Sequence, residues 1–253
     1  MIIEFVGCTG AGKTTLASAV QRRLAANVQA TTPIDFVADQ FGMRRITNPT
    51  VRNLIGDVVG LPFFLRSLYQ HRAFVGFAAK SVARRAGNAL LAINYIRSIV
   101  RRVGTYEFMR RYKRDRIMLV DEGTVLSSHF LLVFSKNVYS QEDLDEFARL
   151  VPLPEIVVCI QAPVDSLVER TLQRSDAPRE IRAKSREYIE KYVRRAARMF
   201  DELTDTKEIR DRVFVVANPA ATDDERGVVA DQIVKYILDY QSGVDQVAGR
   251  SAG

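Results

Sequence analysis

The chain is 253 residues long, 47% hydrophobic and 26% charged, with two cysteines and a net charge of +7. That length suits one α/β domain, or one domain with a substantial insertion, and the composition is that of an ordinary soluble globular protein. Cys8 and Cys159 suggest neither a disulfide framework nor a zinc site, and no secretory signal or run of about 18 apolar residues is present, so the expected compartment is a reducing cytoplasm.

The charge is unevenly placed. Residues 44–116 hold 16 Lys and Arg against three acids, a net of +13, so the rest of the chain carries −6. One segment therefore holds the basic character.

Residues 1–6 are a short apolar run that reads as a buried strand. They lead directly into Gly7-Cys8-Thr9-Gly10-Ala11-Gly12-Lys13-Thr14, which satisfies the phosphate-loop pattern G-x-x-x-x-G-K-[ST] at every required position. Residues 15–24 follow with apolar positions at helical spacing. The glycines permit backbone conformations closed to residues with a Cβ, so that successive N–H groups converge on one anion. A helix starting near Lys13 adds its unpaired amides and positive dipole end. On this pattern Lys13 bridges the β and γ phosphates of ATP, the Thr14 hydroxyl ligates Mg²⁺, and Gly7 to Thr15 form the cofactor cradle.

Residues 28–32 and 34–37 bracket Pro33 and predict a second strand or strand end in this region, with Asp35 near its carboxyl end. A solvent-exposed turn aspartate is the alternative. From 50 to 112 the pattern is helical, and Gly56, Gly60-Leu61-Pro62 and Gly104 suggest two or three helices with short breaks. About 80 residues between the second and third strands exceed a simple crossover and predict an inserted helical lobe.

The third strand, 116–121, ends in Asp121, the position at which a carboxylate beside the glycine loop holds Mg²⁺. Glu122 and Gly123 extend the acidic cluster and allow a turn, and a helix containing residues 130–134 is expected next. His129, among apolar neighbours, reads as a core residue. A polar helix at 141–150 precedes the fourth strand at 155–160. The helix at 166–174 places Arg170 and Arg174 on one face, with Arg179 just past its end, where arginines clamp transferring phosphates or form an ordinary solvated surface. A charged helix at 179–204, a fifth strand at 213–216 and a last helix at 223–240 complete the domain. Residues 241–253, rich in Gly, Ser and Ala, predict a disordered tail.

With these elements in place the chain resembles P-loop kinases of the thymidylate kinase and deoxynucleoside kinase group over residues 1–240. The resemblance rests on the loop with Lys13 and Thr14, on Asp121 after the third strand, and on the arginines 170, 174 and 179. It implies a three-layer α/β/α sandwich with a mostly parallel five-stranded sheet and a helical insertion between strands 2 and 3. It also implies ATP and Mg²⁺ as cofactors, an arginine-bearing lid, and an adenine seat at Asn218 and Pro219. The expected activity is phosphoryl transfer to a small acceptor, with Asp35, Asp121 or Glu122 taking the acceptor proton. The arginine excess of the lobe, at about 44–116, favours an anionic acceptor such as a nucleotide or a sugar derivative. The alternatives for the lobe are an ATP-dependent switch engaging nucleic acid, which its few interleaved aromatics disfavour, and peripheral contact of residues 90–112 with anionic lipid. A basic solvated face is the bland reading.

Overall fold

Five short runs of aliphatic residues build one parallel sheet. They are β1 (Ile2–Val6), β2 (Ala30–Thr31), β3 (Ile117–Val120), β4 (Ile156–Gln161) and β5 (Val213–Ala217), in the spatial order β2-β3-β1-β4-β5. The computed structural model describes residues 1–253 except 26–27, 41–47, 86–87, 114–115, 134–138, 175–180, 183, 219–221 and 251–253. In β1, β3 and β4 nearly every residue is buried, as expected of parallel strands covered on both faces. Glu4 pairs in register with Val120 of β3 and Val157 of β4.

Helices cover both faces. α1 (Lys13–Leu24) packs with α9 (Asp223–Arg250), and α9 also meets β5. α6 (Gln141–Leu150) and α7 (Val164–Gln173) pack on α8 (Arg186–Thr204), which meets β4. The result is a three-layer α/β sandwich. Every strand runs the same way, so the loops after β1, β3, β4 and β5 gather at one edge. At that edge β1 lies between β3 and β4, where the direction of the crossovers reverses.

The insertion between β2 and β3 holds α2 (Pro33–Gln40), α3 (Pro49–Ser67), α4 (Arg72–Arg85) and α5 (Ala89–Tyr112). The second strand is therefore shorter than the sequence suggests. Pro33 begins a helix, as proline does when its missing N–H falls at the first helical position, and residues 34–37 are helical. Gly56, Gly60, Pro62 and Gly104 do not break the lobe; all four lie inside helices. Gly60 and Gly104 mark the crossing of α3 and α5, where a Cβ on Gly104 would overlap the Gly60 carbonyl. Close packing along that seam outweighs the low helix propensity of glycine.

Three further boundaries differ. After β3 the chain forms a 3-10 turn, Val125–Ser127, and a π turn, His129–Val133, where a regular helix was expected; Phe134 lies outside the described residues. α8 starts at Arg186 because the Ser185 hydroxyl accepts from Tyr188 N–H and caps it. α9 continues past Tyr240 to Arg250, through residues expected to form a tail; the isolated glycines of that stretch, Gly243 and Gly249, each cost a helix only about 1 kcal/mol. No described helix is long and apolar enough to cross a membrane.

Candidate functional site

The glycine loop leaves β1 with Gly7, Gly10 and Gly12 at φ 138°, 84° and 91°. These left-handed conformations strain any residue with a Cβ, which is why the spacing of the glycines matters and the residues between them do not. Gly12 is the N-cap of α1, with no side-chain cap, so the first amides of the helix stay available to an anion. The Lys13 ammonium donates to the Gly7 and Cys8 carbonyls at 2.9 Å each. Burial pushes it down to about 8, with Arg174 lowering it further and Asp121 and Glu122 opposing. Burial also pushes the Cys8 thiol up to about 12, so Cys8 is an inert part of the loop wall.

Two adjoining cavities open beside the loop. One, about 450 Å³, is lined by Thr9, Lys13, Thr14, Arg174 and His129. The other, about 540 Å³, is lined by Asp35 and by an apolar wall that includes Val37, Ile55, Val59 and Phe108. Thr14, Asn53, Arg101, Arg102, Asp121 and Glu122 line both. A larger cavity of about 720 Å³, between α1, β2 and α2, includes Asp35 but none of the loop residues.

Lys13, Thr14, Asp121, Glu122, Asp35 and Arg174 are thus brought to one contiguous space. Asp35 arrives from the first turn of α2, where its N–H donates to Thr32 Oγ1 at 3.2 Å, and not from a strand end. Arg170 faces the loop, with Nη1 3.5 Å from the Gly10 carbonyl and 3.4 Å from that of Asn218. Thr15 lines neither cavity. Asn218 is buried, and its side-chain amide donates to the Ala11 carbonyl at 2.7 Å, which places it behind the loop. Arg179 and Pro219 lie outside the described residues.

Sequence reasoning did not single out Arg101, Arg102 or Glu4. Among the described basic residues of the lobe, only Arg97, Arg101 and Arg102 line the two cavities. Arg102 is buried, donates to the Gly123 carbonyl at 2.8 Å and stands 3.8 Å from Glu122, which Arg101 also approaches at 3.6 Å. Arg101 and Arg97 both pair with Asp57 as well. Burial lowers the Arg102 guanidinium from its ordinary value, opposed by Glu122 and Glu4.

Glu4 sits inside β1 with its carboxylate beneath the turn after β3. It accepts from Leu126 N–H at 2.7 Å and Val125 N–H at 3.1 Å, and burial pushes it up to about 7 against those bonds. A carboxylate inside an otherwise apolar parallel strand was the available signal for it.

His129 is a packing residue in the wall. Tyr192 Oη lies 2.7 Å from its Nε2, Phe200 stacks on its ring, and burial, with Lys13 and Arg102, pushes it down to about 3. It therefore stays neutral in the working pH range.

No family model matches the chain, and no curated protein is a significant match. Solved structures similar to it include deoxyadenosine kinase from M. mycoides with dCMP and dCDP bound, at 16% identity and TM-score 0.49 over 92% of this chain and 98% of that one. Thymidylate kinase from Ehrlichia chaffeensis is 15% identical with TM-score 0.49, covering 94% and 98%. Shikimate kinase from Acinetobacter baumannii in complex with shikimate is 16% identical with TM-score 0.44, covering 94% and 93%. Likeness at this level assigns neither activity nor acceptor. The parallel strand order and the glycine loop leaving the central strand give the chain a three-layer α/β fold of the P-loop type.

Proposed function

We propose that this protein is an Mg²⁺-ATP-dependent phosphotransferase acting on a small acceptor. The observation that carries the reading is the shared rim of the two cavities, which sets the glycine loop and Lys13 on one side and an apolar-walled pocket with carboxylates on the other. One side suits the donor phosphates and the other an acceptor.

In this reading the loop amides and the start of α1 hold the β and γ phosphates, and Lys13, Arg174 and the lid arginine Arg179 neutralise charge on the transferring group. Arg170 and Asn218 keep the loop in shape. Thr14 and Asp121 offer a hydroxyl and a carboxylate in the same cavity, the oxygen donors that Mg²⁺ prefers, so they would hold the ion. When bound, the ion neutralises phosphate oxygens.

Glu122 lies 3.6 Å and 3.8 Å from Arg101 and Arg102 and is largely exposed, whereas Asp35 lines the acceptor cavity, so in this reading Asp35 takes the acceptor proton. The acceptor oxygen then forms a bond to the γ phosphorus as the bond to the β,γ-bridging oxygen breaks. The proton goes to the Asp35 carboxylate, and ADP leaves. The apolar wall selects an acceptor with a ring-sized apolar body, while Arg101 and Arg102 take its polar or anionic group.

The test is nucleotide binding by the purified chain, followed by a screen of nucleosides, nucleotides and sugar derivatives for ADP release. Lys13→Ala should abolish transfer and Asp35→Asn should abolish it while leaving ATP binding intact. Absence of ATP binding would sink the proposal.

A further inference from the structure

The outward face of α3 has no partner among the described residues. Val51, Leu54, Val58, Leu61, Leu65 and the following Leu68 recur at alternating spacings of three and four, and each is 39–65% exposed. Such spacing puts them on one ridge, about 25 Å long at 1.5 Å per residue. The opposite face, with Gly56, Gly60 and Phe64, is buried against the domain. A continuous apolar ridge is what a soluble surface ordinarily avoids.

At the carboxyl end of the ridge the charge changes. A cavity of about 470 Å³ opens there between α3 and α5, lined by Phe63, Arg66, Ser67, Gln70, Arg110 and Arg111, with Glu107 at its edge. Glu107 is engaged by His71 at 2.8 Å and by Arg110 at 3.2 Å, whereas Arg66 and Arg111 form no ion pair among the described residues. Beside it Tyr69 is exposed, with the Arg72 guanidinium 4.2 Å above its ring. None of the six ridge residues lines either cavity of the candidate site.

We propose that this face of the lobe docks on an anionic phospholipid surface, with the α3 ridge entering the headgroup layer and the arginine-lined cavity taking a lipid phosphate. Charge selects this occupant. Residues 44–116 carry +13 while the rest of the chain carries −6, so a bilayer of negative surface potential attracts the lobe and repels the remainder. A second copy seated on the ridge would instead bring two such lobes together. In the stripe at 90–112, the alternative site for lipid contact, Tyr95, Ile99 and Val103 are buried in the core while Leu90, Ile93 and Ile96 are exposed. The inference does not depend on phosphoryl transfer, and its readout is separate from it.

The test is co-sedimentation of the full chain at about 0.15 M salt with vesicles of phosphatidylcholine alone or with about one-fifth phosphatidylserine. Binding to the anionic vesicles only is expected, weakened about tenfold or more by Leu61→Glu with Leu65→Glu and by Arg66→Gln with Arg111→Gln. The chain has no tryptophan, so Leu61→Trp gives a single reporter whose emission should shift to the blue with anionic vesicles. No sedimentation, unshifted emission, binding indifferent to the ridge substitutions, or a solution dimer that those substitutions dissociate would each overturn the proposal.

Discussion

The Asn218 side-chain amide donates to the Ala11 carbonyl at 2.7 Å, which ties the end of β5 to the loop that leaves β1. A Cβ on Gly12 would meet that same amide nitrogen at 2.7 Å, so glycine and asparagine are fitted to each other. Asn218→Ala leaves a buried loop carbonyl without its donor, at a cost of about 1–2 kcal/mol. Chemical denaturation should show that loss. A titration with fluorescent nucleotide should show affinity weakened by about tenfold, since 1.4 kcal/mol corresponds to that factor.

Nucleotide binding should depend on pH through Lys13. Burial holds its ammonium at about 8, and phosphates favour the charged form. Affinity is therefore expected to be level below pH 8 and to fall by up to tenfold per unit above it, with proton uptake on binding. Lys13→Arg keeps its charge throughout, so its calorimetric titration at pH 7 to 9.5 should lack that slope.

Glu4 gives the opposite kind of pH effect, on folding. Its folded-state value, about 7, lies above the ordinary 4.5 of the unfolded chain, so the native chain holds a proton there that the unfolded chain releases. The contribution of this group to stability is greatest below 4.5 and is lost as pH rises toward 7, by about 3 kcal/mol in all. Urea unfolding at several pH values should show less slope over that window in Glu4→Gln than in the parent.

The α3–α5 crossing is a separate test of packing. Gly104→Val would drive a side chain into the Gly60 backbone, with an expected loss of about 3 kcal/mol or more. Because Arg101 and Arg102 lie in the turn before Gly104, acceptor affinity should drop with it. Gly76, in α4, has nothing within 4 Å of the position a Cβ would take. Gly76→Ala should raise stability by about 0.5–1 kcal/mol, which thermal unfolding of the two variants side by side would reveal.

The sequence by itself determined the features whose causes are local. The glycine loop is legible because its backbone torsions require glycine at fixed spacing, and Asp121 because it ends an apolar run. Ser140 and Asp143 form the capping box that starts α6 where the polar pattern begins. Hydrophobic period showed that the lobe is helical, but it left two or three helices open and took glycines inside α3 and α5 for the breaks between them.

Only the tertiary structure decided which faces meet. Period identifies an apolar face without naming its partner, so nothing in α5 distinguishes the arginines that line the cavities, 97, 101 and 102, from those that surround the outer one, 110 and 111. Glu4 and the amides it accepts are 121 residues or more apart in the chain, and Asn218 is farther still from Ala11. Such pairs exist because parallel strands bring distant loops to one edge, and that arrangement is a property of the folded sheet, not of any segment within it.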